Sequence, residues 1–302
     1  MVMIYMGMNR ILFAMWMAGI LLLSSCSVKE DRSGCPCWMT VDLSKVAESR
    51  WKSPERQSST EYQMVTKSLE SRQHIAESVV LRLRGNSDED EVDYAFKMTE
   101  TVNTEVGALE YEVPRESVGV SVIGMPDRVG HDGIAGYDGD EIRIPVGEQM
   151  DSLYGFFKMY HTRCESVLCD VDLHKEFCTV SFTLGKDGYT SPYDIEVWGN
   201  VAGVSAWDLM PVKGEFRYAP VQKNEVYQVR VPRQEDNSLE LVMMDDDDIV
   251  DRLPLGEYIA RSGYDWTAED LADVHIALDM ENQQVMITVS GWDGVVVMDI
   301  VI

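Results

Sequence analysis

The chain has 302 residues, of which 52 are acidic and 26 are basic, so its formal net charge at pH 7 is -26. This negative field argues against nucleic acid as a partner, because phosphates need lysine and arginine to neutralise them. It also keeps the folded body off anionic membrane surfaces, and the length suits one large domain or two of ordinary size.

The N-terminal segment has the pattern of a secretory signal peptide. Arg10 supplies a positive charge, residues 11–22 form an apolar run, and positions 23–26 read Leu-Ser-Ser-Cys. The run is too short for a membrane-spanning helix, which needs roughly 20 apolar residues. The Leu-Ser-Ser-Cys sequence resembles the lipobox of bacterial lipoproteins, which implies removal of residues 1–25 and acylation of Cys26. Two or three acyl chains would give stable anchorage in a membrane.

Five further cysteines follow, an odd number that leaves at least one thiol free or paired with another molecule. They are Cys35, Cys37, Cys164, Cys169 and Cys178. The Cys-Pro-Cys sequence at 35–37 lacks the spacing of a redox motif or a zinc knuckle. We therefore expect one or two structural disulfides that connect the N-terminal segment to the region 164–178, and no metal site.

Short runs of alternating apolar and polar residues predict strands through the rest of the chain. In the first half these are 38–43, 79–84, 92–98, 108–113, 118–123, 142–146 and 153–160. In the second half they are 177–184, 193–198, 215–218, 226–231, 239–244, 274–279, 285–290 and 295–302. The sequence therefore predicts an all-β protein of two β-sandwich domains in tandem, at 26–168 and 169–302.

Helical signals are few. Residues 45–76 are polar and weakly patterned, which predicts a loop with a helical turn or two. Thr267, followed by acidic residues and Leu271, predicts one short N-capped helix.

Motifs for catalysis or cofactor binding are missing from the sequence, including the nucleophile elbow, the P-loop, the zinc-protease helix and the dinucleotide-binding glycine pattern. We therefore expect no enzyme activity, no catalytic residue and no cofactor. The acidic run at 245–248, with Asp251 nearby, and the Gly/Asp-rich segment 130–141 could each form a solvated turn or a Ca²⁺ loop. The solvated turn is favoured, because the ligand spacing and the distal glutamate of a Ca²⁺ loop are missing.

Two features leave alternatives open. Four tryptophans of the second half are either core and interface residues or an aromatic platform for a glycan. They are Trp198, Trp207, Trp266 and Trp292. The last predicted strand, 295–302, is apolar on both faces. It is either a central strand buried between layers or a strand exchanged with a partner by β-augmentation.

Several sequences resemble the fimbrial anchor lipoproteins of the Bacteroidetes, the FimB-type or minor-fimbrium-anchor family. They are Val-Pro-Arg-Gln-Glu-Asp-Asn-Ser-Leu-Glu-Leu at 231–241, Leu-Pro-Leu-Gly-Glu-Tyr-Ile at 253–259, Gly-Tyr-Asp-Trp at 263–266 and the closing strands around Trp292. A Cys-Pro shortly after Cys26 and the region 164–178 also fit. The family is expected to have a single cysteine where this chain has Cys35 and Cys37.

The resemblance implies two transthyretin-like β-sandwich domains and a place at the base of type V pili. The lipid on Cys26 would hold the protein in the outer membrane, and the protein would accept a pilin subunit by β-strand exchange. Lys29, Glu30 and Asp31 resemble the short export signal that places such lipoproteins on the outer face of the cell. The expected function is that of a surface lipoprotein that anchors or assembles fimbriae. The alternative is a surface glycan-binding lipoprotein that uses the aromatic platform.

Overall fold

The structure, a computed structural model, describes residues 37–48, 78–85, 96–115, 117–126, 139–185, 191–246, 248–279, 284–291 and 294–301. Within these ranges the chain forms eighteen β-strands in four sheets and two short α-helices. The prediction of an all-β protein is confirmed. The predicted signal peptide lies outside the described residues.

Nine strands precede residue 176. They are β1 (Cys37–Asp42), β2 (Ser78–Gly85), β3 (Phe96–Asn103), β4 (Ala108–Val113), β5 (Ser117–Gly124), β6 (Glu141–Arg143), β7 (Tyr154–His161), β8 (Ser166–Asp170) and β9 (His174–Lys175). Sheet A has the order β4-β1-β8, with β1 antiparallel to β4 and parallel to β8. Sheet B has the order β3-β2-β5-β7-β9.

The alternation along β1 gives sheet A one buried face and one solvated face. Cys37, Met39 and Val41 are fully buried, whereas Trp38 is 51% exposed. The buried residues belong to the same hydrophobic core as Leu81 of β2. A period of two along the strand produces this division, because successive side chains point to opposite faces.

Nine further strands follow. They are β10 (Phe177–Leu184), β11 (Asp194–Ser205), β12 (Pro211–Tyr218), β13 (Tyr227–Pro232), β14 (Glu240–Asp245), β15 (Asp248–Leu253), β16 (Asp273–Asp279), β17 (Gln284–Gly291) and β18 (Gly294–Val301). Sheet C has the order β12-β11-β14-β15, and sheet D has the order β13-β10-β16-β17-β18. β6 pairs with β11 of sheet C, and β8 runs across the predicted domain boundary at 168/169. The division into two domains at that position stays a prediction.

The face of sheet B that carries Arg82 and Ser121 is covered by the segments just before β6 and just after β11. The hydroxyl of Ser121 on β5 donates to the Ala206 carbonyl at 3.1 Å. The guanidinium of Arg82 on β2 donates to the Gly139 carbonyl at 2.9 Å. All but the first residue of β2 are consequently buried, including both of its arginines.

Trp207, in the turn after β11, is the largest side chain at this contact. Its ring lies edge-on to Phe157 at a centroid distance of 5.5 Å, and the Arg84 guanidinium lies 4.7 Å from its centroid. The space it occupies exists because residue 119 is a glycine. A Cβ on Gly119 would lie 2.3 Å from Cζ2 of Trp207.

The helix predicted from Thr267 is wrong. The segment forms turns, because the Asp265 carboxylate accepts both the backbone N–H and the hydroxyl of Thr267, at 2.8 and 2.6 Å. Arg233 in addition binds the Ala268 carbonyl at 2.9 Å. Backbone groups that a helix would pair internally are therefore bound elsewhere.

The two helices lie at other positions. α1 (Ser44–Glu48) is the helical turn predicted within 45–76, of which 49–76 lie outside the described residues. α2 (Leu255–Arg261) was not predicted. It follows Pro254 directly and buries Leu255, Tyr258 and Ile259, which have the i, i+3, i+4 spacing of a helix face.

Candidate functional site

The residues predicted to act at the membrane lie outside the described part of the chain. They are Cys26, Lys29, Glu30, Asp31 and Cys35. Their roles stay predictions. None of the helices in the described ranges has the length and hydropathy needed to cross a bilayer.

The other four cysteines are present as thiols. Cys169 and Cys178 are fully buried, and burial raises the pKa of Cys169 to about 11 and that of Cys178 to about 12. Cys37 is buried at the start of β1, and Cys164 is exposed just before β8. Which cysteines form disulfides stays a prediction.

The sequences that carry the family resemblance meet around a buried ion pair. Arg233 donates through Nε and Nη2 to Oε2 of Glu176 at 3.1 and 3.0 Å. Their side chains are only 16% and 7% exposed. Burial raises the pKa of Glu176, and the charge of Arg233 opposes this shift. Arg233 also donates to the carbonyls of Trp266 and Ala268, which fixes the segment 263–266 at the same place.

A second buried ion pair is formed by Lys175, the residue that precedes Glu176. Nζ of Lys175 is 2.5 Å from Oδ1 of Asp273, which also accepts the backbone N–H of Thr179 at 2.8 Å. The Asp270 carboxylate accepts the backbone N–H of Lys175 at 2.8 Å. These contacts connect β9 of sheet B to β10 and β16 of sheet D, so this charged cluster stabilises the fold.

The matching sequence 253–259 lies against the matching sequence 231–241, where the two backbones approach closely. The N–H of Gly256 donates to the Leu239 carbonyl at 2.8 Å. A Cβ on Gly256 would lie 2.4 Å from the carbonyl oxygen of Asn237, so only glycine fits without a backbone shift. The matching sequences 231–241 and 253–259 are therefore parts of one structural assembly.

His174 makes the stability of this assembly depend on pH. Its Nδ1 lies 3.3 Å from Oδ2 of Asp270, and this hydrogen bond raises the pKa of His174 above its ordinary value of 6.5. A raised pKa means that the charged pair stabilises the fold fully below pH 6.5, and that this stabilisation is lost as pH rises through the folded-state value.

We expect His174→Gln to lower the free energy of unfolding by up to about 1 kcal/mol at about pH 6, and by less at about pH 8. Urea unfolding at both pH values measures this, with His161→Gln, a change at an exposed histidine, as the control. An equal loss at both pH values would contradict the assignment.

The acidic run at 245–248 is part of the β14–β15 hairpin. Asp245, Asp246 and Asp248 are exposed, and Asp246 has a φ of 54°, a left-handed conformation that aspartate tolerates in turns. Across the described ranges, no three or more His, Cys, Asp or Glu side chains are grouped to hold a metal ion. Residues 130–138 of the other acidic segment lie outside those ranges.

Three of the four tryptophans considered for a glycan platform lie in the described ranges, and each contacts other side chains of the protein. The guanidinium groups of Arg217 and Arg252 lie 4.2 and 4.8 Å from the ring centroid of Trp198. Trp207 packs on sheet B, and Trp266 packs edge-on against a neighbouring tyrosine. These contacts agree with the core-and-interface alternative, and Trp292 lies outside the described residues.

β18 is an edge strand. It pairs antiparallel with β17 in eight register pairs, from Gln284–Val301 to Gly291–Gly294, without a bulge. Among the described strands it has no second neighbour, so within the described part of sheet D it is an edge and not a central strand. Its residues from 295 to 301 are apolar apart from Asp299.

β15, the edge strand of sheet C, is different. Its register with β14 is broken by a bulge between the pairs of Met243 and Met244, and it carries Asp248, Asp251 and Arg252. Bulges and charges are the usual protection of a free edge against further pairing. β18 has a regular register and Asp299 as its one charged residue, so it has less of this protection and is the candidate interaction site.

No protein-family model and no curated protein matches the sequence. Solved structures do match. A candidate polysaccharide-binding protein from Bacteroides thetaiotaomicron is 13% identical, with 87% of this chain and 98% of that chain covered and a TM-score of 0.53. The fimbrial anchor protein Mfa2 from Porphyromonas gingivalis is 12% identical, with 85% and 98% covered and a TM-score of 0.50. The chain therefore shares the fold of a fimbrial anchor, which confirms the resemblance at the level of the fold.

Proposed function

We propose that this chain is a non-enzymatic surface lipoprotein that anchors or assembles fimbriae and engages a pilin subunit by β-strand exchange at β18. The observation that carries the proposal is the position of β18 at the edge of sheet D, where one backbone ladder, that with β17, holds it among the described strands. Exchange of an edge strand breaks and remakes one ladder, whereas exchange of a central strand disrupts two. The fold shared with Mfa2 supports the fimbrial role.

In this proposal, lipid on Cys26 attaches the protein to the outer membrane, and Lys29, Glu30 and Asp31 direct it to the outer face. The net charge of -26 disfavours attachment through anionic headgroups, so the acyl chains provide the membrane affinity.

A reversible lock on the β17–β18 ladder tests strand exchange. One variant places cysteines at the register pair Val289–Val296, and a second places them at Thr288–Val297. Adjacent register pairs of an antiparallel ladder alternate between a wider, hydrogen-bonded spacing and a closer, non-hydrogen-bonded spacing of their Cα atoms. One of the two cysteine pairs therefore has the spacing that a disulfide needs. Oxidised cells of that variant are expected to shed fimbriae into the medium, and reductant is expected to restore attachment. Immunoblots of fimbriae on cells and in medium measure this.

A matched lock at the pair Asp245–Asp248, on the protected edge of sheet C, should leave fimbriae attached. Cys26→Ala should move the protein from the outer-membrane fraction to the soluble fraction. Fimbriae that stay on the cell with β18 locked contradict strand exchange. Protein that stays in the outer membrane without Cys26 contradicts lipid anchoring.

The fold shared with the candidate polysaccharide-binding protein from Bacteroides thetaiotaomicron supports glycan binding as a second candidate function. A glycan pull-down with Trp198, Trp207 and Trp266 replaced singly tests it. Loss of binding at two of these positions would favour this function over the fimbrial one.

A further inference from the structure

The start of β1 lies beside the turn that leads into β8. The N–H of Trp38 donates to the Glu165 carbonyl at 3.0 Å, and Trp38 pairs with Ser166 in the parallel register of the two strands. Cys37 directly precedes Trp38, and Cys164 directly precedes Glu165. The backbone pairing therefore brings these two cysteines, far apart in sequence, to the same end of sheet A.

The two side chains are close enough to influence each other. Cys37 is fully buried and its Sγ donates to the Trp38 carbonyl at 3.8 Å. Burial raises the pKa of Cys37, and the neighbouring Cys164 raises it further. The Sγ of Cys164 also donates to the Ser166 carbonyl at 3.2 Å, which directs this exposed side chain back toward sheet A.

The remaining described cysteines have other partners. The side chain of Cys169 is hydrogen-bonded to Tyr160, and that of Cys178 to Tyr264. Both are fully buried in the core. Within the described ranges, Cys37 and Cys164 are therefore the two cysteines placed to react with each other.

We propose that Cys37 and Cys164 form a disulfide that joins the start of β1 to the start of β8. The exposed Cys164 thiolate attacks the active-site disulfide of a protein thiol oxidoreductase, which gives a mixed disulfide and releases one enzyme thiolate. The Cys37 thiolate then attacks Sγ of Cys164 and releases the second enzyme thiolate. Two electrons pass to the oxidoreductase, whose disulfide becomes a dithiol, and the two protons lost by the cysteines balance the reaction.

The position of this bond gives it a mechanical role, a statement that rests on the proposed anchoring function. The segment between lipid-bearing Cys26 and Cys37 is ten residues long (27–36), so tension from a fibre reaches the membrane through the start of β1. Without the bond, β1 is held there by hydrogen bonds to β4 and β8. With it, the tension passes covalently into β8.

Disulfide mapping of the full-length protein tests the proposal. The protein is extracted from membranes without reductant, its free thiols are alkylated under denaturing conditions, and its peptides are analysed by mass spectrometry. We expect a peptide containing Cys37 to be crosslinked to one containing Cys164, and Cys169 and Cys178 to be alkylated. Addition of reductant should shift the Tm downward.

Cys164→Ser changes an exposed side chain, so it should fold, and it should lose both the crosslink and the reductant-dependent shift in Tm. Cys35→Ser is the matched control and should keep both. A crosslink that survives in Cys37→Ser, or that is lost in Cys35→Ser, would overturn the assignment in favour of Cys35, and alkylated Cys164 in the wild type would overturn it outright. These readouts do not involve fimbriae, so they remain informative if the proposed function fails.

Discussion

Replacing Arg233 with methionine is expected to lower the free energy of unfolding by about 3–5 kcal/mol. The substitution leaves the Glu176 carboxylate, which is 7% exposed, without the guanidinium that compensates its charge. It also removes the donor that binds the carbonyls of Trp266 and Ala268. Urea unfolding followed by circular dichroism measures the loss.

Arg252→Met is the matched control. Arg252 pairs with Glu240 at 2.5 Å, but both side chains are more than a third exposed, so the expected loss is about 1 kcal/mol or less. Adding Glu176→Gln to Arg233→Met should recover part of the stability, because the uncompensated charge is removed. Equal losses for the two arginine variants, or no recovery in the double variant, would show that burial of charge is not the cause.

Trp207→Ala is expected to lower the free energy of unfolding by about 3 kcal/mol, the lower end of the range for tryptophan in a core, because the ring keeps some exposure. The ring fills the space above Gly119 and contacts Phe157 and Arg84. Trp198→Ala, a change at a half-buried tryptophan outside this contact, should cost less. Urea unfolding distinguishes the two variants.

The reciprocal change tests the same contact. Gly119→Ala is expected to cost about 1–3 kcal/mol, because the new Cβ would overlap the indole of Trp207. In the background of Trp207→Ala the same change should cost less, because the overlapping ring is gone. Additive losses in the double variant would contradict direct contact between the two positions.

Most strands could be predicted from the sequence because they have one buried face. β15 was missed because all of its residues except Leu253 are exposed, so it has no alternation. β8 and β9 were missed because they are short, with five and two residues. α2 was missed although its buried residues have helical spacing, since its seven residues hold only two turns of pattern.

The candidate site was less predictable, because it depends on neighbours distant in sequence. Apolar residues on both faces of 295–302 are typical of a central strand, and only the sheet order shows that β18 is an edge. The pairing of Arg233 with Glu176 joins residues 57 positions apart, and no local pattern indicates it. The family resemblance singled out the sequences 231–241, 253–259 and 263–266. It did not indicate that their residues hold one another in place within the fold.

The parallel pairing of β1 with β8 also constrains the order of folding. Trp38 and its partner Ser166 are 128 positions apart (166 − 38 = 128), and contacts of such long separation form slowly. Synthesis runs from the N-terminus, so β1 is made long before β8 is available to pair with it. Of the described strands, the one that is synthesised first is therefore among the last to be fully paired.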